Sequence, residues 1–190
     1  KFLANTDTPY RVEYYWENVE NDEYTLHETS TLQGTTDTAA TAEQKTYAHF
    51  TFNGNTSTMQ GNINGDGSLV LKAYYTRDKY NVVFNGNGGT LESGKINQIL
   101  KYEGAAVAPV FTRTGYTFIG WDKEFSNISE NITVTAKFLA NTDTPYRVEY
   151  YWENLENDEY SLHETSVLQG TTDTMATAEQ KTYAHFTFNG

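Results

Sequence analysis

The sequence predicts an α+β fold dominated by strands, built as a string of small ββ(α)ββ modules, each a four-stranded sheet with one short helix. Three observations lead there. Residues 1–54 return as residues 137–190 with four changes, Val19 to Leu155, Thr25 to Ser161, Thr31 to Val167 and Ala39 to Met175. A chain that repeats itself so closely is an array, and a period of 136 residues has room for whole domains rather than one solenoid turn. Residues 10–75 and 80–138 also echo each other. Each opens on Tyr-x-Val-x-aromatic (Tyr10, Val12, Tyr14; Tyr80, Val82, Phe84), and each carries aromatic-Thr-Phe-x-Gly in the middle (Phe50 to Gly54; Tyr116 to Gly120). Each closes with Ala two positions before an aromatic (Ala73 and Tyr75; Ala136 and Phe138). Finally, apolar and polar residues alternate with period two over most of the chain, the signature of half-buried strands.

The boundaries follow from these echoes. Residues 1–9 read as a linker, 10–79 as module A, 80–138 as module B, 139–145 as a second linker, and 146–190 as a truncated second copy of A that lacks its last strand.

Within module A, Tyr10–Glu17 alternates cleanly, with Val12, Tyr14 and Trp16 on one face. An acidic loop, Asn18–Asp22, leads to a second strand over Glu23–Thr29, with Tyr24 and Leu26 facing in and Thr25 and His27 out. Thr35–Thr46 is the expected helix: Ala39, Ala40 and Ala42 favour it, Asp37 or Thr41 caps it, and Thr41 with Gln44 fits a capping box. Tyr47–Asn53 resumes alternation, with Ala48, Phe50 and Phe52 inward against His49 and Thr51. Ser68–Thr76 is the most apolar strand, and Leu69, Leu71, Ala73 and Tyr75 share its inner face. Only Arg77, Asp78 and Lys79 then precede the next strand; three residues reach about 10 Å, so this junction should be stiffer than the one across 139–145.

In module B, Tyr80–Asn85 reads as a strand and Asn85–Gly89 (NGNGG) as a turn. Lys95–Tyr102 is a strand, and Pro109–Thr114 with Gly115 behind it fits a single helical turn. Tyr116–Trp121 and Ile132–Phe138 complete the sheet. In the second copy of A, the closing strand would pair beside the first in mid-sheet. Either the sequence is a window on a longer array, or another chain supplies that strand to residues 146–190.

The net charge of -12 is unevenly spread. Residues 10–79 carry 5 basic and 10 acidic groups (5 − 10 = -5), residues 80–137 carry 5 of each (0), and residues 138–190 carry 2 and 9 (2 − 9 = -7). The acidity belongs to the duplicated module. It argues against nucleic acid, which needs clustered Lys and Arg. With no cysteine, disulfides and thiolate metal sites are excluded. No apolar run approaches the ~18 residues of a membrane helix, so membrane insertion is not expected.

Module B resembles the Listeria–Bacteroides repeat, the internalin-type B-repeat, through YNVVFNGNGGT (Tyr80–Thr90), TRTGYTFIGWD (Thr112–Asp122) and NITVTAKF (Asn131–Phe138). Module A resembles the mucin-binding-protein type of repeat through YRVEYYWEN (Tyr10–Asn18), KTYAHFTFNG (Lys45–Gly54) and GDGSLVLKAYYTR (Gly65–Arg77). It departs at His49, where an acidic residue or Gly is more usual. These resemblances imply small β-grasp (ubiquitin-like) modules in the extracellular stalk of a bacterial, usually Gram-positive, cell-wall-associated surface protein. Its partners would be neighbouring repeats and a host glycan, mucin or protein.

Candidate sites are few. Asn62, Asn64 and Asp66 mimic the start of a calcium loop, but the loop opens on Asn and its twelfth position is Ala73, so a hairpin turn explains it without metal. His27, His49, His163 and His185 fall on polar phases and read as surface histidines; no nucleophile accompanies them, so no enzyme and no cofactor is expected. The acidic loop Glu17–Glu23 suits a cation or a basic partner, or simply keeps a hairpin solvated. Tyr14, Trp16 and Trp121 read as core, whereas Tyr15, Tyr74 and Tyr151 lie on the opposite phase as candidates for stacking on sugars or packing against the next module. Lys72, Lys101 and Lys137 are considered for isopeptide cross-links, although they fall on outward phases.

Overall fold

The computed structural model describes residues 2–189; Lys1, which opens the expected first linker, and Gly190, which ends the truncated module, lie outside the described residues. Among the described residues there are 14 strands and no helix. The α+β expectation is therefore overturned, and with it the β-grasp module carrying one short helix. The chain falls into two compact units: one runs up to Phe84 and includes Lys95–Ala108 and Lys123–Val134, and the other holds Asn85–Gly94, Pro109–Asp122 and the chain from Thr135 on.

In the first unit, β1 (Thr8–Glu17), β2 (Tyr24–Gly34), β4 (Phe50–Phe52) and β6 (Val70–Arg77) form one sheet in the order β2-β1-β6-β4. β1 runs antiparallel to β2 and parallel to β6, so the closing strand lies beside the opening one. The inner face is as the alternation predicts: Val12, Leu71 and Ala73 are fully buried, and Tyr14 and Tyr75 nearly so. With neighbours on both sides, β1 also buries Glu13 and Glu17.

The register of β1 against β2 slips at Tyr14/Tyr15: Tyr14 lies opposite Glu28 and Tyr15 opposite Leu26, which leaves His27 as an extra residue. A bulge of this kind reverses the alternation beyond it. Leu26 is therefore exposed rather than inward, and His27 lies flat on the Trp16 indole, ring centroids 3.3 Å apart, rather than facing away.

The expected helix at Thr35–Thr46 is a turn followed by a short strand, β3 (Ala39–Thr41), paired antiparallel with β5 (Gln60–Asn62). Asp37 sits in the left-handed region at φ 61°. Ala40 and Ala42 are buried while Ala39, Thr41 and Glu43 are exposed, a two-residue period. The Ala42 N–H donates to the Met59 carbonyl at 2.8 Å and the Ile63 N–H to Thr38 at 2.9 Å. Alanine's helix preference is below ~1 kcal/mol per residue; here five β-branched threonines and these tertiary bonds outweigh it. Downstream, His49 at φ 65° breaks the expected Tyr47–Asn53 strand, so β4 starts only at Phe50 and Ala48 is exposed.

β7 (Lys79–Asn85) pairs antiparallel with β9 (Asn97–Lys101), burying Val82 and Phe84. β11 (Tyr116–Trp121) pairs antiparallel with β12 (Ile132–Ala140). The order β11-β12-β7-β9 repeats that of module A strand for strand. The helical turn expected at Pro109–Thr114 is instead a strand, β10 (Val110–Thr112), paired with β8 (Thr90–Ser93) and burying Phe111.

In the second unit, β13 (Thr144–Glu153) and β14 (Tyr160–Gly170) reproduce the first hairpin, including the slip at Tyr150/Tyr151. They form a two-stranded sheet, with no further strand on β13 among the described residues. Phe186 is accordingly 42% exposed where its counterpart Phe50 is 8% exposed.

Leu71→Ala should therefore destabilise the first unit by roughly 2–5 kcal/mol, the range for a buried leucine. Leu162→Ala, on the exposed hairpin, should cost within about 0.5 kcal/mol. Hydrogen exchange of the β1 and β13 amides under urea separates the two effects.

Candidate functional site

A connected cluster of ion pairs and hydrogen bonds forms where β6 ends and β7 begins, inside the first unit. Because β6 runs parallel to β1, Arg77 arrives beside Glu17. The Arg77 backbone N–H donates to Glu17 Oε2 at 2.8 Å and its Nε to the Glu17 carbonyl at 2.7 Å. Its Nη1 reaches the Tyr102 carbonyl at 3.2 Å and Glu103 Oε2 at 2.5 Å.

Lys101, the last residue of β9, places its Nζ among four oxygens: Glu17 Oε1 at 2.9 Å, Asp22 Oδ1 at 3.0 Å, and the carbonyls of Asn18 at 3.2 Å and Asn21 at 2.6 Å. The Lys101 and Glu17 side chains are only 13% and 9% exposed. The acidic loop is itself stitched together. Asn18 Nδ2 donates to Asn21 Oδ1 (3.1 Å), the Glu23 N–H to the same oxygen (2.9 Å), and Thr25 Oγ1 to Asn18 Oδ1 (2.7 Å). Burial pulls the Lys101 amine down, but hydrogen bonds to Glu17 and Asp22 outweigh it and leave the amine above its ordinary value. The Lys101 hydrogen bond holds the Asp22 carboxyl below its own.

An aromatic patch lies beside this clamp. Tyr102 stacks on His49 at 4.2 Å, His49 Nδ1 shares a 2.7 Å hydrogen bond with the Tyr80 hydroxyl, and Tyr102 packs on the module A core. The backbone is fastened as well: the Asp78 N–H donates to His49 (2.9 Å) and the Tyr102 N–H to Asp78 (2.8 Å). The reading of His49 as a plain surface residue is thus corrected, whereas His27 is exposed as read, although its ring lies on Trp16. Lys101 is likewise not outward-facing.

A second junction lies inside the second unit. The Gly115 carbonyl accepts from Thr172 Oγ1 (2.7 Å) and the Asn141 N–H (2.8 Å), and the Tyr116 hydroxyl donates to Asp173. Gly115 has φ 79°, and a Cβ there would lie 2.7 Å from Thr172 Oγ1, so both conformation and space call for glycine.

The candidate sugar-stacking tyrosines are partly brought together. Tyr15 and Tyr74 stack on each other at 4.8 Å, with Tyr24 edge-on to Tyr74 at 5.1 Å. Tyr15 donates to Glu13 Oε2 at 2.7 Å, and this bond, aided by burial, pushes its phenol up to about 12. Tyr151 is 50% exposed and donates to Glu149 at 2.8 Å.

The calcium-like residues are used locally. Asn64 Nδ2 donates to Ser68 Oγ (2.9 Å), Asp66 Oδ1 accepts from the Ser68 N–H (2.9 Å), and Asn62 lies in β5. Among the described residues no three His, Cys, Asp or Glu side chains group as metal ligands. Of the lysines considered for cross-linking, Lys72 lies over the Tyr15 ring at 5.7 Å and Lys137 is exposed. Lys101 and Asp22 are both held in their charged forms, the opposite of the neutral amine and acid that amide formation requires.

Repeated strand modules joined through side-chain junctions define a tandem-repeat protein. Residues 80–144 match the Listeria-Bacteroides repeat domain family, consistent with a bacterial surface repeat protein. No curated protein matches the chain. No helix among the described residues is long and apolar enough to cross a membrane.

The clamp gives a signed pH dependence. A carboxyl held below its ordinary 3.8 contributes stability that is complete above that value and lost as pH falls through the lowered folded value. An amine held above 10.5 contributes below that value, and its contribution is lost as pH rises through the raised one. Exchange protection of the Tyr102 amide should therefore be flat from about pH 4 to 10 and fall on either side. Lys101→Met, which strands a buried Glu17, should lower the stability of the first unit by about 3–5 kcal/mol in urea unfolding.

Proposed function

We propose that the chain is a non-enzymatic stalk segment of a bacterial cell-surface protein, in which alternating modules (10–79, 80–138 and the partial 146–190) hold a binding head away from the cell wall. The observation that carries this reading is the Arg77–Glu17–Lys101 clamp. It ties the end of one module to the second strand of the next by the largely buried Arg77, Glu17 and Lys101 side chains, as an array under tension requires. The modules flanking residues 80–138 are read as mucin-binding-protein-type repeats on the motifs at Tyr10–Asn18, Lys45–Gly54 and Gly65–Arg77. The setting is extracellular, on a Gram-positive wall.

A second reading is favoured by the Tyr15–Tyr74–Tyr24 cluster, a contiguous aromatic face on which a host glycan, mucin or protein could stack. The two readings separate experimentally. For a stalk, small-angle scattering of chains with one, two and three 136-residue periods should show maximum dimension rising by a constant increment; a compact particle of unchanged length overturns it. For glycan binding, multi-repeat chains should give glycan-array hits that disappear with Tyr74→Ala. An array without hits, or with hits indifferent to Tyr74→Ala, counts against the aromatic face.

A further inference from the structure

The loop that grips Lys101 occurs twice. Glu153, Asn154, Asn157 and Asp158 stand where Glu17, Asn18, Asn21 and Asp22 stand in the first copy. The internal bonds are the same: Asn154 Nδ2 to Asn157 Oδ1 at 3.1 Å, the Glu159 N–H to Asn157 Oδ1 at 3.1 Å, and the Asn154 N–H to the Glu159 carbonyl at 2.8 Å. Ser161, one of the four changed residues, keeps the hydroxyl bond of Thr25, donating to Asn154 Oδ1 at 2.7 Å. The aromatic ledge beside it persists too, with His185 at φ 68° against 65° for His49. Glu153 and Asp158 carry no ion pair among the described residues, where Glu17 and Asp22 hold Lys101.

We infer that the Glu153–Asp158 loop, with the His185–Phe186 ledge, is a preorganised receptor for the Lys-Tyr corner of a B-type module. The first copy identifies the ligand. There the same residues take an ammonium between two carboxylates and two carbonyls, while the following tyrosine stacks on the histidine. The bonds among Asn154, Asn157 and Glu159 hold the turn in the form it has in the first copy, so binding costs little reordering of its backbone. A lone lysine would satisfy only the carboxylates and carbonyls. The adjacent Phe186, 42% exposed, gives the site a preference for an aromatic at the next position. A lysine-reading loop of this kind works whether or not the array serves as a stalk.

The whole chain, labelled with 15N, is titrated with a synthetic peptide of residues 97–104 (NQILKYEG) and followed by amide shifts. Shifts should appear at residues 154–159 and 185–186, and not at residues 18–23, where Lys101 is already seated. A peptide carrying Lys101→Met should bind about tenfold more weakly or worse, a loss of ~1.4 kcal/mol, as should the native peptide with the chain variant Asp158→Asn. That substitution lies in an exposed loop and leaves folding intact. In a Lys101→Met chain that remains folded, a second set of shifts should appear at residues 18–23. Absence of shifts at 154–159 up to millimolar peptide, or equal binding of the methionine peptide, overturns the inference.

Discussion

The parallel pairing of β6 with β1 is the constraint on which the rest depends. It covers the otherwise open side of β1, so Val12 and Tyr14 meet Leu71 and Ala73 within one sheet and bury completely or nearly so. It also decides where the chain leaves the module. A closing strand antiparallel to β1 would end near Thr8; a parallel one ends at Trp16 and Glu17, so Arg77 is delivered to the acidic loop. The chain enters at one end of the sheet and exits at the other. A module so built can be strung, and its exit is by construction the place where the next module must be gripped.

The grip draws on chemistry that β1 would otherwise find unfavourable. Burying Glu17 in a central strand is costly unless the charge is paired and hydrogen-bonded. Arg77 supplies its backbone N–H to one carboxylate oxygen and Lys101 its ammonium to the other. The buried carboxylate therefore needs both the closing strand of its own module and the second strand of module B. The side-chain arrangement that would destabilise an isolated module makes the joined pair specific.

Much of this was legible. Alternation located the inner faces of β1 and β6 because a strand buried against a core must repeat every two residues, whatever its partners. The three-residue connection Arg77–Lys79 required adjacent modules to touch, and the acidic loop called for a cation. The missing step was to join those two statements, since Lys101 was the cation within reach. Other features were not legible. Three alanines at Ala39–Ala42 favour a helix on propensity, but Ala40 and Ala42 are held by bonds to a strand some twenty residues away, and such long-range bonds leave no mark on local composition. The bulge at His27 was hidden for a related reason: a single inserted residue shifts the phase of all that follows, and nothing in Tyr24–Thr29 says where the insertion falls.

The duplicated hairpin separates what is local from what is tertiary. β13 and β14 keep the same register and the same slip as β1 and β2, although no strand lies on the open side of β13 among the described residues. Trp152 keeps its stack on His163 at 3.3 Å and on Phe186 at 4.3 Å, matching Trp16 with His27 and Phe50. Both indole Nε1 atoms are buried without a hydrogen-bond partner in this arrangement. The bulge therefore belongs to the hairpin itself, and the aromatic sandwich to the hairpin with the Phe50 or Phe186 segment that follows it, within about forty positions. Burial does not. Val12 is fully buried, while its counterpart Val148 retains 8% exposure, and Phe186 reaches 42% where Phe50 is 8% exposed. With 50 of 54 residues identical, the contrast follows from what each hairpin is packed against rather than from what it is made of. The hairpin's shape is thus encoded in the repeat, whereas its stability is conferred by the strand that closes the sheet.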